Sequence, residues 1–156
     1  MENNDKKKRS LVRTVVLVIL VAAVAAAAVW WLVPVSLFPK EYSKVTFHYI
    51  MIDGTKYDKT DDGWPSEEQL AQIESILKPL KMTHTREAVD YSEVVEYKLY
   101  IPFSFENEKG VIFRSGCIAI FPDLSAKSRI LPFVDSYTHI ENGAAIYQQI
   151  MEVLGR

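Results

Sequence analysis

The stretch VEYKLYIPFSF, residues 95–105, decides how the folded part of this 156-residue chain is built. Apolar side chains recur at every second position from Val95 to Phe105, with polar residues such as Glu96 and Ser104 between them. Because successive side chains of a strand point to opposite faces, this alternation predicts a strand with one buried face and one wet face. Sheets that leave one face in water are commonly antiparallel. We therefore expect an antiparallel sheet around this strand.

The residues after this strand predict a hairpin. Glu106 to Gly110 has the composition of a turn, and Val111 to Phe121 returns as a second strand. Ser115-Gly116 interrupts that strand and indicates a β-bulge. A third strand is expected over about Leu131 to Thr138.

The residues before the central strand predict one strand, one helix and a short second strand. Val45 to Ile52 is predicted to be a strand buried on both faces or nearly so, and it ends at the turn signal Asp53-Gly54. Ser66, followed three places later by Gln69, forms a capping box that starts a helix over about residues 67–78. Met82 to Arg86 is expected to be a short strand.

A closing helix is predicted to begin at Glu141 or Asn142, with Ile146 and Ile150 on its inward face. The order of elements favours an α+β domain with an antiparallel sheet of about four to five strands. Two helices are expected to cover one face of that sheet.

Farther toward the N-terminus, Val15 to Val33 is a run of 19 residues without a polar side chain. As a helix it spans roughly 28 Å, close to the thickness of a bilayer core, and Pro34 ends it. The predicted organisation is a cytoplasmic basic tail over residues 1–13, a transmembrane helix over 14–34, a juxtamembrane linker over 35–44 and an extracytoplasmic domain over 45–156. This excludes a purely cytosolic globular protein and a multi-span transporter.

Charge predicts the orientation of this segment. Five basic and two acidic residues precede the run, a net of +3, whereas 13 basic and 18 acidic residues come after it, a net of −5. The positive-inside rule then places the N-terminus in the cytoplasm and the C-terminal domain outside. The lipid bilayer is one expected partner, and the predicted membrane-interface residues are Lys6, Lys7, Lys8, Arg9, Arg13, Trp30 and Trp31.

Two alternatives for the apolar run stay open. The basic start and the alanines from Ala22 to Ala28 also fit a cleaved secretory signal peptide, but cleavage there leaves an apolar new N-terminus. The same alanines, spaced four apart, suit close approach of two helices and hence a structural, dimerising anchor. The sequence leaves the oligomeric state open.

The stretch from Asp58 to Gln69 partly fits a calcium-binding loop. The candidate oxygen ligands are Asp58, Thr60, Asp62 and Ser66. Gln69 occupies the position where such a loop has a bidentate Glu, and Pro65 lies inside it. The alternative is a solvated acidic turn that leads into the helix cap.

No other pattern indicates a cofactor or a catalytic site. His48, His84 and His139 lie on three separate predicted strands without zinc spacing, and Cys117, the single cysteine, lies in mid-strand and is expected to be buried. Nucleophile-elbow, P-loop and dinucleotide-binding patterns are missing, and the net charge of −5 disfavours nucleic acid. Tyr91 and Tyr100 are not on the predicted core face and could form a contact surface.

We therefore predict a non-enzymatic interaction module that uses no cofactor and binds another membrane or envelope protein near the cell surface. The alternative function is a cell-surface enzyme or a ligand-binding domain, with calcium as one ligand.

Four segments resemble small extracytoplasmic α+β domains of membrane-anchored proteins and lipoproteins of Gram-positive bacteria. The matching residues are Ile52-Asp53-Gly54, Leu70 to Leu80, Tyr97 to Ile101 and Tyr137 to Gly143. The resemblance covers about 100 residues and implies an extracytoplasmic location and an α+β fold, without an assigned activity.

Overall fold

The computed structural model divides the chain into two units, Met1–Val33 and Pro34–Arg156. It describes residues 2–87, 96–131 and 137–156, without the side chains of 2–11, 30–32, 84–87, 129–131 and 137. The first unit is helix α1 (Glu2–Leu32). Its part from Val12 to Val29 is long and apolar enough to cross a membrane, by length and composition, as a signal sequence also is. The helix extends back through the predicted basic tail, since Lys and Arg favour helix formation.

The second unit contains nine strands and two helices within the described residues. In chain order they are β1 (Val35–Ser36), β2 (Lys44–Phe47), β3 (Ile50–Ile52), β4 (Thr55–Tyr57), α2 (Glu67–Leu77), β5 (Lys81–Glu87), β6 (Leu99–Glu106), β7 (Ile112–Ile120), β8 (Ala126–Leu131), β9 (Tyr137–Ile140) and α3 (Gly143–Val153). The predicted α+β class is confirmed.

The strands form one antiparallel sheet in the order β1-β5-β9-β8-β7-β6-β3-β4, and β2 pairs with β6 beside this path. Strand β6 pairs along its whole length with β7 on one side. On its other side it pairs with β2 and then with β3, which succeed each other along the same edge. Strand β6, which has the alternating apolar pattern, therefore lies at the centre of one half of the sheet.

Both helices belong to a single core on one face of the sheet, as predicted. Ile73 and Leu77 of α2 and Ile146 and Ile150 of α3 are buried in one cluster with the apolar side chains of β6 and β7. The capping box of Ser66 and Gln69 starts α2, and both of its hydrogen bonds are present.

The opposite face of the sheet, here called the open face because no described helix packs on it, is more buried than the alternation predicts. Cys117 and Ala119 are buried there beneath the half-buried rings of Tyr97, Tyr100 and Phe121. Ser104, expected to face water, is 1% exposed. Aromatic side chains on neighbouring strands thus cover part of this face.

The sheet is larger than the four to five strands predicted. Strands β1, β3 and β4 have two or three residues each, too few to show a period of two. Asp53 and Gly54, both with positive φ, form the tight turn between β3 and β4, as hairpin turns of this type require. Strand β8, rich in polar residues, was also missed, and the strand predicted over 131–138 falls partly on residues 132–136, outside the described residues.

Two further predictions about the strands were wrong. The strand predicted over 45–52 is interrupted at His48 and Tyr49, and His48 is exposed, so this segment is not buried on both faces. Ser115 and Gly116 pair regularly with β6, and the irregularity lies farther along, where Glu106 pairs with Ile112.

Residues 35–44 differ most from the prediction. They are not a linker: Val35–Ser36 pairs with β5, and Leu37 and Phe38 are buried in the core. Phe38 contacts the rings of Phe103 and Phe105, with centroid separations of 5.7 and 4.8 Å. The folded unit therefore begins at Pro34, directly after the apolar helix.

Candidate binding groove beside strand β2

Among the residues that the structure describes, strand β2 pairs with β6 alone, which leaves its other edge without a described partner strand. The N–H of His48 donates to the carbonyl of Pro102 at 3.0 Å, which continues the ladder to β6. Because antiparallel hydrogen bonds alternate along a strand, the N–H and C=O groups of Val45 and Phe47 point away from β6. No hydrogen bond joins these four groups to any residue that the structure describes.

A groove of about 690 Å³ lies near the β6–β7 turn. A second groove, of about 620 Å³, lies beside β2 and is lined by a strand and a helix. All four residues of β2 form one wall, and the first half of α2 forms the other. The remaining lining comes from the segment before α2. The lining residues are Lys44, Val45, Thr46, Phe47, Lys59, Trp64, Pro65, Ser66, Glu67, Leu70, Ala71 and Glu74.

The side chains of the groove separate into an apolar floor and a charged rim. Val45, Phe47 and Leu70 pack on the core cluster and form the floor. Lys44 and Glu67 are exposed, as expected of the rim. A segment lying in the groove would therefore place apolar side chains inward and polar ones outward.

Tyr42 ties the segment before β2 to helix α2. Its hydroxyl donates to Oε1 of Glu74 at 2.6 Å, and the Nζ of Lys78 lies 5.4 Å from the centre of its ring. Burial, together with the hydrogen bond and the negative charge of Glu74, raises the pKa of Tyr42 well above its ordinary value. The phenol therefore stays neutral and fixes one residue of the groove wall.

An unpaired strand edge beside a helix can bind an extended polypeptide as an additional strand. The outward N–H and C=O groups of Val45 and Phe47 match the backbone of such a segment, and the apolar floor takes its alternate side chains. Four residues of β2 accommodate a partner strand of about 13 Å.

The calcium-ligand candidates take part in local hydrogen bonds. Oδ1 of Asp58 accepts from both the N–H and the hydroxyl of Thr60, at 3.0 and 2.6 Å, and these bonds lower the pKa of Asp58. The hydroxyl of Ser66 caps α2, and Asp62 is exposed. In the described parts of the chain, no three His, Cys, Asp or Glu side chains lie together as they do in a metal site.

The remaining candidates are dispersed. His48 and His139 are exposed, and the side chain of His84 lies outside the described residues. Cys117 is buried in β7. Tyr100 is half-buried on the open face, and Tyr91 lies outside the described residues.

The membrane-interface candidates all lie on α1. Arg13 is exposed. The other six, which are Lys6, Lys7, Lys8, Arg9, Trp30 and Trp31, have side chains outside the described part of the structure.

Sequence reasoning placed Val45, Phe47 and Leu70 on strand and helix faces but did not bring them together. In this strand the polar residues Lys44 and Thr46 alternate with the apolar Val45 and Phe47. Because edge strands commonly carry charged side chains, this pattern indicated an edge strand. No family model, curated protein or solved structure matches this chain.

Proposed function

We propose that this protein is a single-pass membrane protein whose outer domain binds an extended segment of another membrane or envelope protein. The groove between β2 and α2 is the proposed binding site, and the proposed role is binding and not catalysis. The proposal rests on the outward edge of β2, because the backbone groups of Val45 and Phe47 face a groove and form no hydrogen bond with a described residue.

Charge and connectivity support the proposed topology. The net charge of +3 before the apolar run and −5 after it favours a cytoplasmic N-terminus and an external domain. Only Val33 and Pro34 separate α1 from β1 along the chain, so the tether between the apolar helix and the outer domain is short. The partner segment is therefore expected close to the membrane surface.

The accessibility of the C-terminus on intact cells and the mass of the recovered chain test this topology. An epitope tag placed after Arg156 should react with antibody on intact cells, and the protein recovered from membranes should have the mass of the uncleaved chain. A tag detected only after the cells are permeabilised would reverse the orientation, and a mass corresponding to loss of α1 would favour the secreted alternative.

Peptide selection tests the groove. The full chain in lipid nanodiscs is used to select binders from a phage-displayed library of short linear peptides. We expect selected peptides to alternate apolar and polar residues, and to slow hydrogen exchange at the amides of Val45 and Phe47. Binders that leave the exchange of both amides unchanged would contradict the proposal.

Matched variants separate binding from folding. Val45→Pro removes an N–H that faces the groove and leaves the ladder to β6 intact, as proline does on edge strands. Ala71→Glu places a charged side chain in the groove, whereas Gln72→Glu adds the same charge at the next, exposed position of α2 outside the lining. We expect Val45→Pro and Ala71→Glu to weaken peptide binding roughly tenfold or more, and Gln72→Glu to leave it unchanged.

A further inference from the structure

The β6–β7 hairpin carries an apolar cluster beside its turn. Val111, Ile112 and Phe113, here called the hairpin tip, are 56%, 56% and 44% exposed. Among the side chains that the structure describes in Pro34–Arg156, the only other large apolar one that is exposed is Val35, at 37%. The folded unit therefore buries its other described large apolar side chains at least in part and leaves this cluster in water. Exposed apolar clusters of this kind mark contacts with proteins or membranes.

An irregularity in the strand pairing accompanies this exposure. Phe105 pairs with Arg114 and Glu106 pairs with Ile112, so Phe113 is one extra residue on β7. Such a bulge changes the direction of the side chains around it. Here the alternation of buried and exposed positions is lost, and three successive side chains are exposed. A protein that packs on one face of a regular hairpin covers alternate side chains, whereas a fluid apolar phase can cover all three.

Charged side chains of both signs lie near the hairpin tip. Glu108 and Lys109 belong to the turn, Glu41 lines the same groove as they do, and Arg114 follows the tip directly. Neither sign dominates among these neighbours. Burial of apolar surface, and not attraction to an anionic surface, is therefore the expected driving force for any contact made here.

The strand register places the hairpin tip at the end of the sheet from which the chain enters. Val35 and Leu99, the first residue of β6, are in one row of paired residues, which also contains Met82, Ile140, Ala126 and Ile120. Strand β1 runs from Val35 to Ser36, which pairs with Lys81 on the side of this row away from the β6–β7 turn. The chain therefore enters β1 from the end of the sheet that carries the hairpin tip.

We propose that the hairpin tip docks in the surface of the lipid bilayer, as a second membrane contact besides the apolar helix. This inference rests on the proposed membrane attachment, because the short tether through Val33 and Pro34 keeps the folded unit near the bilayer. The apolar side chains of the tip would lie at the boundary between headgroups and acyl chains, and Glu108 and Lys109 would stay at the polar level.

Quenchers carried by the lipid test this docking. The full chain is labelled with the fluorophore NBD at Lys109→Cys, beside the tip, or at Thr55→Cys, an exposed position in the hairpin at the other end of the sheet. Each chain is placed singly in phosphatidylcholine nanodiscs with or without a nitroxide near the lipid headgroup. Cys117 is buried, and the wild-type chain taken through the same labelling measures any dye attached there. We expect nitroxide to quench the label at position 109 and not at position 55.

The outcomes separate this inference from the proposed membrane attachment. If the chain co-elutes with the discs but the label at position 109 is not quenched, or is quenched no more than at position 55, the docking is refuted and the attachment stands. A chain that does not co-elute with the discs would contradict both. A label at position 109 that is shielded from water only in discs holding two chains would assign the tip to a second copy and would also overturn the proposal.

Variants of the tip show whether its apolar surface is responsible for the docking. Val111→Ser combined with Ile112→Ser should lower the ratio of docked to undocked chains, measured by quenching at position 109, roughly tenfold. The matched control is Val111→Leu combined with Ile112→Leu, which keeps the surface apolar and should be quenched like the parent chain. Both positions are exposed, so neither pair of changes affects the core. Equal quenching in the serine and leucine pairs would refute a role for the apolar surface and overturn the proposal.

Discussion

Truncating Phe38 tests whether the segment after the apolar helix belongs to the folded core. The side chain is 3% exposed and contacts the rings of Tyr42, Phe103 and Phe105, with centroid separations of 5.6, 5.7 and 4.8 Å. Phe38→Ala therefore removes a fully packed ring and leaves a cavity among aromatic neighbours. Such changes lower the free energy of unfolding by about 3–5 kcal/mol. That is a large fraction of the stability of an ordinary domain, about 5–15 kcal/mol.

Urea unfolding of the purified full chain in mild detergent measures this loss. Near-ultraviolet circular dichroism monitors the packing of the aromatic side chains, and the midpoint should fall without a large change in slope. Lys40→Ala is the matched control, because Lys40 is exposed in the same segment and should shift stability by less than about 0.5 kcal/mol. If Phe38→Ala behaves like Lys40→Ala, residues 35–44 act as a linker and the reasoning is refuted.

Two further predictions concern a close contact and a titration. Gly143→Ala places a Cβ atom against the carbonyl oxygen of Leu124, so the turn before β8 must shift. Thermal melting should show a loss of stability of about 1–3 kcal/mol, and an unchanged melting temperature would contradict this contact. The pKa of Tyr42 is raised in the folded state, so its contribution to stability is complete below pH 10, the ordinary tyrosine value, and is lost as the pH rises above it. Tyr42→Phe should thus lower stability at neutral pH and reduce its decline above pH 10, as urea titrations at several pH values would measure; an equally steep decline would rule out this role.

The sequence predicted those elements whose signal is local and strong. Residues 99–106 form a central strand because alternating apolar side chains fit a half-buried pleated surface. Helix α2 begins after Ser66 because the cap satisfies backbone groups within its own first turn. In both cases the deciding interaction involves residues that are close in sequence, so the pattern alone was sufficient.

The short strands and the candidate groove could not be predicted in this way. Strand β1 has two residues, and its pairing with Lys81 and Met82 depends on how the whole sheet assembles. The groove needs the edge of β2 and the side of α2 to lie next to each other, although Ala71 is more than twenty residues from Val45 in the chain. The predicted calcium ligands were close in sequence, but Asp58 and Ser66 serve a turn and a helix cap.

By itself, the sequence determined an apolar helix near the N-terminus, the charge difference across it and the α+β class of the C-terminal domain, because composition and periodicity act over adjacent residues. Only the tertiary structure decided that residues 35–44 are part of the core, since the burial of Phe38 depends on distant partners on β6. The same holds for the groove beside β2 and for the aromatic side chains that cover part of the open face. An unpaired backbone group or a stacked ring is defined by its neighbours in space, and those neighbours are fixed when the sheet forms.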